Sequence, residues 1–123
     1  MADAARANAA YRASQRLDER PIALLVGLHE QIAYAVVSAI SAHDRGALDQ
    51  TCRHAERATH LLGGLIAALN PYSGEVFELR AFYGGLRSAL NRLLSDNAAK
   101  ERLRSGLDRL NSMSALLRSE MNL

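Results

Sequence analysis

Large apolar residues recur every three or four positions from residue 22 nearly to the end of the chain, in four runs separated by polar or proline-containing breaks. In the first run Leu25, Leu28, Ile32, Val36 and Ile40 mark one stripe, and Ile22, Val26, Ala33 and Val37 widen it. A period of three to four is that of a helix with a buried face, and so broad a face predicts a central helix touching more than one neighbour. Pro21 opens this run. Proline is tolerated in the first helical turn, where its missing N–H costs nothing, so helix is expected from Pro21 to about Ala42.

The turn His43-Asp44-Arg45-Gly46 leads into the most regular stripe of the chain: Leu48, Cys52, Ala55, Thr59, Leu62, Ile66 and Leu69. Asn70-Pro71 stops it, because the residue before proline is pushed out of the α region. Ser73 is a good N-cap for a third helix, with Glu75 in its first turn and Val76, Leu79, Tyr83, Leu86, Leu90 and Leu93 as its stripe. Ser95-Asp96-Asn97 connects to a fourth run with Leu103, Leu107, Leu110, Met113 and Leu117, expected to fray from Met121 to Leu123. Short connections between helices predict antiparallel neighbours. The expected fold is an all-α, antiparallel four-helix bundle over residues 21–123. Residues 1–20, rich in alanine with Tyr11 and Leu17 as the only large apolar side chains, are expected to form a mobile or loosely docked helical arm.

Composition supports this reading. The 123 residues include 20 leucines and 22 alanines but only 10 valines, isoleucines and threonines, a balance that favours helix over strand. Fifteen basic against 13 acidic residues are interspersed, so the arginines read as solvated helix surface and a nucleic-acid face is not expected. The single cysteine excludes an intramolecular disulfide and suits a reducing compartment. The first twenty residues lack the apolar core of a signal peptide, and no stretch is expected to span a bilayer. A cytoplasmic protein without membrane insertion follows as the expectation.

Catalytic chemistry is hard to find. Cys52, Glu56 and His60 share one side of the second helix and are zinc-ligand types, but no matching pair exists on helices three or four. They read as a core thiol beside a surface Glu–His pair. There is no Gly-x-Ser-x-Gly elbow, and Leu62-Gly63-Gly64-Leu65 is not followed by the Lys-Ser/Thr of a phosphate loop. No enzyme and no cofactor is expected. Gly63-Gly64 and Gly84-Gly85 inside helices two and three suggest either close packing with a slight bend or a shallow groove that a foreign helix can approach. Apolar residues off the inward stripes, namely Tyr11, Leu17, Leu24, Tyr34, Leu61, Leu65, Tyr72, Phe77, Phe82, Leu94 and Leu116, are numerous for one small bundle. Gathered into grooves they would mark a partner site.

The order of these features resembles the flagellin export chaperone family over essentially the whole chain. Tyr11 matches that family's arm tyrosine, and Pro21-Ile22-Ala23-Leu24-Leu25-Val26-Gly27-Leu28-His29-Glu30 resembles its first helix opening. Leu69-Asn70, Gly74-Glu75-Val76, Leu79 and Phe82-Tyr83 are similar to its Leu-Asp, Gly-Glu and Leu-Tyr pattern. His29 and Glu30 stand where the family has tyrosine and aspartate, Arg20 where it has serine or threonine, and no tryptophan closes the last helix. The resemblance implies a chaperone that binds the amphipathic C-terminal region of flagellin in the cytoplasm, prevents polymerisation and delivers it to the flagellar export apparatus, whose gate components are a further partner. The arm would occupy part of the same groove when no client is bound. The partner-binding set it implies is Tyr11, Leu17, Ile22, Leu25, Leu61, Leu65, Tyr72, Phe82, Tyr83, Leu86 and Leu116. A chaperone for another flagellar or secreted protein, or a self-associating helical adaptor, is the alternative, and an enzyme or metalloprotein built on the Cys52–Glu56–His60 edge is a third.

Overall fold

A computed structural model describes residues 3, 6, 21–69 and 76–121. Four helices account for nearly all of them: α1 Pro21–Asp44, α2 Leu48–Ala68, α3 Val76–Asn91 and α4 Asn97–Met121. The arm expected over 1–20 (Asp3 and Arg6 apart), the Asn70-Pro71 stop, the Ser73 cap with Glu75, and residues 122–123 lie outside the described residues.

The helices form a closed ring in which α1 and α3 each pack on both α2 and α4. Cross-links between α1 and α4 give the relative direction. Asp44, at the end of α1, meets Lys100 near the start of α4, while Glu30, earlier in α1, meets Arg118 late in α4. The two helices are therefore antiparallel, and the fold is the expected all-α four-helix bundle. These ion pairs are exposed and add little stability each.

Helix ends follow local chemistry. Gly46 sits at φ +73°, the left-handed region glycine enters without penalty, and ends α1 in a paired motif. Its N–H donates to the His43 carbonyl at 3.1 Å, and Ala47 N–H donates to the Ala42 carbonyl at 2.9 Å. Asp96 caps α4, accepting from Ala98 N–H at 2.9 Å. That bond, reinforced by Arg102, holds the Asp96 carboxyl below the usual carboxylate range.

The core is aliphatic, with Ile32, Val36, Leu62, Leu65, Leu103, Leu110 and Leu117 fully enclosed. On α1, α3 and α4 the predicted stripes face inward, although Val37 is exposed and Leu28 and Leu107 only half-buried. On α2 the stripe is displaced. Thr51, Ala58, Leu62, Leu65 and Leu69 are buried, whereas Leu48 and Cys52 are exposed. The predicted stripe lies roughly 70° further round the helix at about 100° per residue. Cys52 is therefore not a core thiol, and Leu65 is a core residue.

The α1 segment Ala23–Asp44 corrects one expectation. Over 22 residues it is long and apolar enough to cross a membrane by length and composition, and half of its apolar window is buried inside the bundle.

Candidate functional site

The displaced stripe of α2 opens onto a groove. Small side chains at Thr51, Cys52, Ala55 and Thr59 fail to fill the space towards α3, leaving a hollow of about 430 Å³. Leu90, Leu93 and Leu94 form the facing wall, and Glu56, His60 and Asn91 stand at its edges. Leu93 and Leu94 both reach the groove because the chain turns tightly after α3. Arg92 and Leu93 N–H bond back to Ala89 and Leu90, and Asp96 N–H to Arg92. Leu93 is buried, while Leu94 remains 52% exposed. Leu48, one turn before Cys52, is 60% exposed. A concave apolar face rimmed by polar groups is the geometry that accepts the apolar side of a foreign helix.

A second, smaller groove of about 270 Å³ runs between α3 and α4, lined by Phe82, Gly85, Leu86, Gly106 and Arg109 among others. At Gly106 the Leu86 side chain packs directly on the glycine, where an added Cβ would stand 2.2 Å from Leu86 Cδ2. Arg109 lies over the Phe82 ring at 4.5 Å and also holds Asp3 through Nε and Nη2 at 2.8 and 2.9 Å. The hydrogen bond from Arg109 lowers the Asp3 carboxyl below its ordinary range. Arg6 pairs with Glu78 of α3. The two described residues of the arm region thus sit on this edge.

The residues singled out from sequence fall into three groups. Leu25, Leu65, Tyr83 and Leu86 are buried in the core, where they support the fold and offer a partner almost no surface. Leu61, Phe82 and Leu116 are half-buried at the core's margin. Tyr11, Leu17, Tyr72 and the Ile22 side chain lie outside the described residues. Phe82 and Leu86 share the α3–α4 groove, and none of the set lines the larger α2–α3 groove. Sequence periodicity places the α2 stripe in the core and so hides this groove. The available signal was its make-up, since Cys52, Ala55 and Thr59 are small for positions expected to fill a bundle. Of the other off-stripe residues, Leu24, Tyr34, Phe77 and Leu94 are exposed.

Cys52, Glu56 and His60 do border one groove, but positions i and i+8 are separated by about 12 Å along a helix. Among the described residues no three His, Cys, Asp or Glu side chains are grouped so as to hold a metal ion. Gly64, Gly84 and Gly85 face open space, and Gly63 has only the Arg87 guanidinium nearby at 3.8 Å, so neither pair serves close helix packing.

Comparison with known protein families, characterised proteins and solved structures yields no match.

Proposed function

We propose that this protein is a non-enzymatic cytoplasmic chaperone that binds the amphipathic C-terminal region of flagellin and hands it to the flagellar export apparatus. The observation that carries this reading is the α2–α3 groove: an apolar hollow on a bundle whose core is already complete. Small residues on α2 form its floor and leucines after α3 its wall, so the i, i+3, i+4 anchors of an amphipathic helix have a surface to enter. The resemblance of Pro21–Glu30 and of the Leu79 to Tyr83 segment to the flagellin chaperones supplies the client. The α3–α4 groove extends the surface. The ion pairs of Asp3 and Arg6 at its edge are exposed, worth at most about 1 kcal/mol each, and so are readily exchanged for client contacts.

The test is co-elution of the full chain with the flagellin C-terminal segment on size exclusion, repeated with the groove-filling variant Ala55→Leu and with Leu94→Asp. Complex formation at micromolar concentration, lost in both variants without change in thermal unfolding, is expected. Failure of the wild type to bind overturns the flagellin assignment. Wild-type binding that survives both variants overturns the groove as its site.

A further inference from the structure

The cations of the bundle divide in two. On α4 every basic residue, namely Lys100, Arg102, Arg104, Arg109 and Arg118, is ion-paired. On α2 and α3, Arg53, Arg57, Arg80 and Arg87 form no ion pair among the described residues, and Arg57 has only the neutral Gln31 amide. The sequence explains the division, since residues 57–69 and 79–91 contain no Asp or Glu. Arg87 differs from the other three in its setting, being half-buried where they are exposed. Its Nη1 lies 3.8 Å from where a Cβ would stand on Gly63, so the guanidinium reaches across the seam between α3 and α2.

This spot adjoins the apolar hollow of the α2–α3 groove. Gly63 is one turn beyond Thr59 and His60, and Arg87 is one turn before Leu90 and Asn91, all four of which line that hollow. Arg80 stands two turns from Arg87 on the same flank of α3. Gly84, between the two arginines, has open space where a side chain would go, and a Cβ on Gly63 would meet nothing but Arg87. The hollow therefore runs out onto bare backbone with a guanidinium beside it. On α2 the nearest carboxylate, Glu56, is about 10 Å along the helix from Gly63. We propose that the helix received by this groove carries a carboxylate side chain one turn beyond its apolar anchors, and that Arg87 is the residue that receives it. The inference rests on the α2–α3 groove being a client site and names the client's chemistry. The anchors fill the hollow, and a Glu or Asp on the next turn lies over Gly63, where no side chain separates it from the guanidinium. Arginine holds a carboxylate through two parallel N–H donors, and Arg80 adds attraction from further along the flank.

An amphipathic helix with an acidic turn fits this surface better than other occupants. A nucleic acid would call for cations along the whole groove, but Ala55, Leu90, Leu93 and Leu94 line its walls without one. A purely apolar partner would cover a half-buried guanidinium and strip its water without supplying a carboxylate, which is costly. Charge at one end alone also fixes direction. Cys52 lines the other end of the hollow, about 16 Å along α2 from Gly63, so the client's carboxylate and its far anchor stand apart by that distance.

The test uses three synthetic amphipathic helices that share one leucine stripe and carry Glu, Gln or Lys one turn beyond its end. Fluorescence anisotropy against the full chain should rank Glu above Gln above Lys, with Glu at least about tenfold tighter than Lys. Arg87→Gln should flatten this order and Arg87→Glu reverse it, whereas Arg53→Glu, a charge change of the same size at an exposed site, should keep it. A cysteine placed on the Glu peptide at the end away from the Glu should form a disulfide with Cys52 faster than a cysteine beside the Glu. Absence of binding, equal affinity for the three peptides, a Glu preference that survives both Arg87 variants, or faster crosslinking from the Glu end would each overturn the proposal. Self-association or oligouridylate binding that Arg87→Glu abolishes would assign the cation to a second copy or to nucleic acid and overturn it as well. The flagellin reading is judged separately. If the Glu peptide binds in the expected order and the flagellin segment does not bind, the client assignment falls and the carboxylate site stands; if the segment binds and the peptide order is flat, the carboxylate site falls alone.

Discussion

Tyr83 of α3 and His29 of α1 are joined by a 2.7 Å hydrogen bond across the centre of the bundle, and both side chains are fully buried. The bond reaches between two helices that stand diagonally in the ring. His29 Nδ1–H donates to the Leu25 carbonyl at 2.7 Å. Nε2 is then the free acceptor of the neutral ring, and the Tyr83 hydroxyl donates to it. Sequence periodicity places Tyr83 on an apolar stripe and leaves His29 unassigned. The structure makes them one polar unit that fixes the register of α1 against α3.

Tyr83→Phe keeps the ring and removes only the hydroxyl. It leaves the His29 Nε2 buried without that donor, at a cost of about 1–3 kcal/mol. Removing both polar partners, as in His29→Leu with Tyr83→Phe, avoids the stranded acceptor. The double variant should therefore be less destabilised than the sum of the two single variants, a coupling that denaturant titration of the four chains measures. Simple additivity would mean that the bond contributes nothing specific.

The same histidine sets a pH dependence. Burial lowers the His29 pKa below 6.5, outweighing the opposing pull of the Leu25 carbonyl. The unfolded chain then binds the proton at higher pH than the folded one does. Stability from this group is complete above about pH 6.5 and is lost as pH falls below it, with a slope of at most about 1.4 kcal/mol per unit, until the folded histidine itself titrates. Asp3, Asp44 and Asp96 act in a lower window. Hydrogen bonds to Arg109, Lys100 and Ala98 respectively lower their pKa values, so their contributions persist above 3.8 and fade beneath it. Urea unfolding from pH 7.5 to 5 should show the His29 slope, and His29→Gln should flatten it. An unchanged slope in that variant would assign the effect to another group.

Helix number, order and boundaries are legible in the sequence because a 3.6-residue period and strong breakers each act locally. Gly46 illustrates this: four turn-forming residues predict the turn, and the glycine takes the positive φ. Rotation of a helix about its axis is less legible. The α2 run offers two overlapping apolar arcs, one through Cys52, Ala55 and Thr59 and one through Ala58, Leu62 and Leu65, and only packing against α1 chooses between them. The choice made there is what leaves the α2–α3 groove open. Contacts between distant residues are not legible at all. Nothing local announces that position 29 meets position 83, or that position 106 lies under position 86.

Glycine positions make the last point testable. Gly64 and Gly84 have open space where a side chain would go, so alanine there should stabilise each helix by up to about 1 kcal/mol. Gly106 draws no notice in the sequence, yet a Cβ there would collide with Leu86, itself buried. Gly106→Ala must displace the Leu86 side chain and should cost about 1–3 kcal/mol through overpacking, offset in part by helix propensity. Thermal unfolding should therefore move up for Gly64→Ala and Gly84→Ala and down for Gly106→Ala. A stabilised Gly106→Ala would show that α3 and α4 have slack at this crossing.

Ser114 presents the reverse case on the same helix. It is buried among the inward side chains of α4, and its hydroxyl finds no hydrogen-bond partner among the described residues. An enclosed hydroxyl that has lost water without gaining a partner carries a desolvation penalty of about 1–3 kcal/mol. Ser114→Ala removes that group, leaves only a very small void and gains helix propensity. The two effects other than the void favour the variant, so Ser114→Ala should unfold at higher denaturant concentration with the same slope, unlike most core substitutions. A lower midpoint would mean that the hydroxyl is paired in solution.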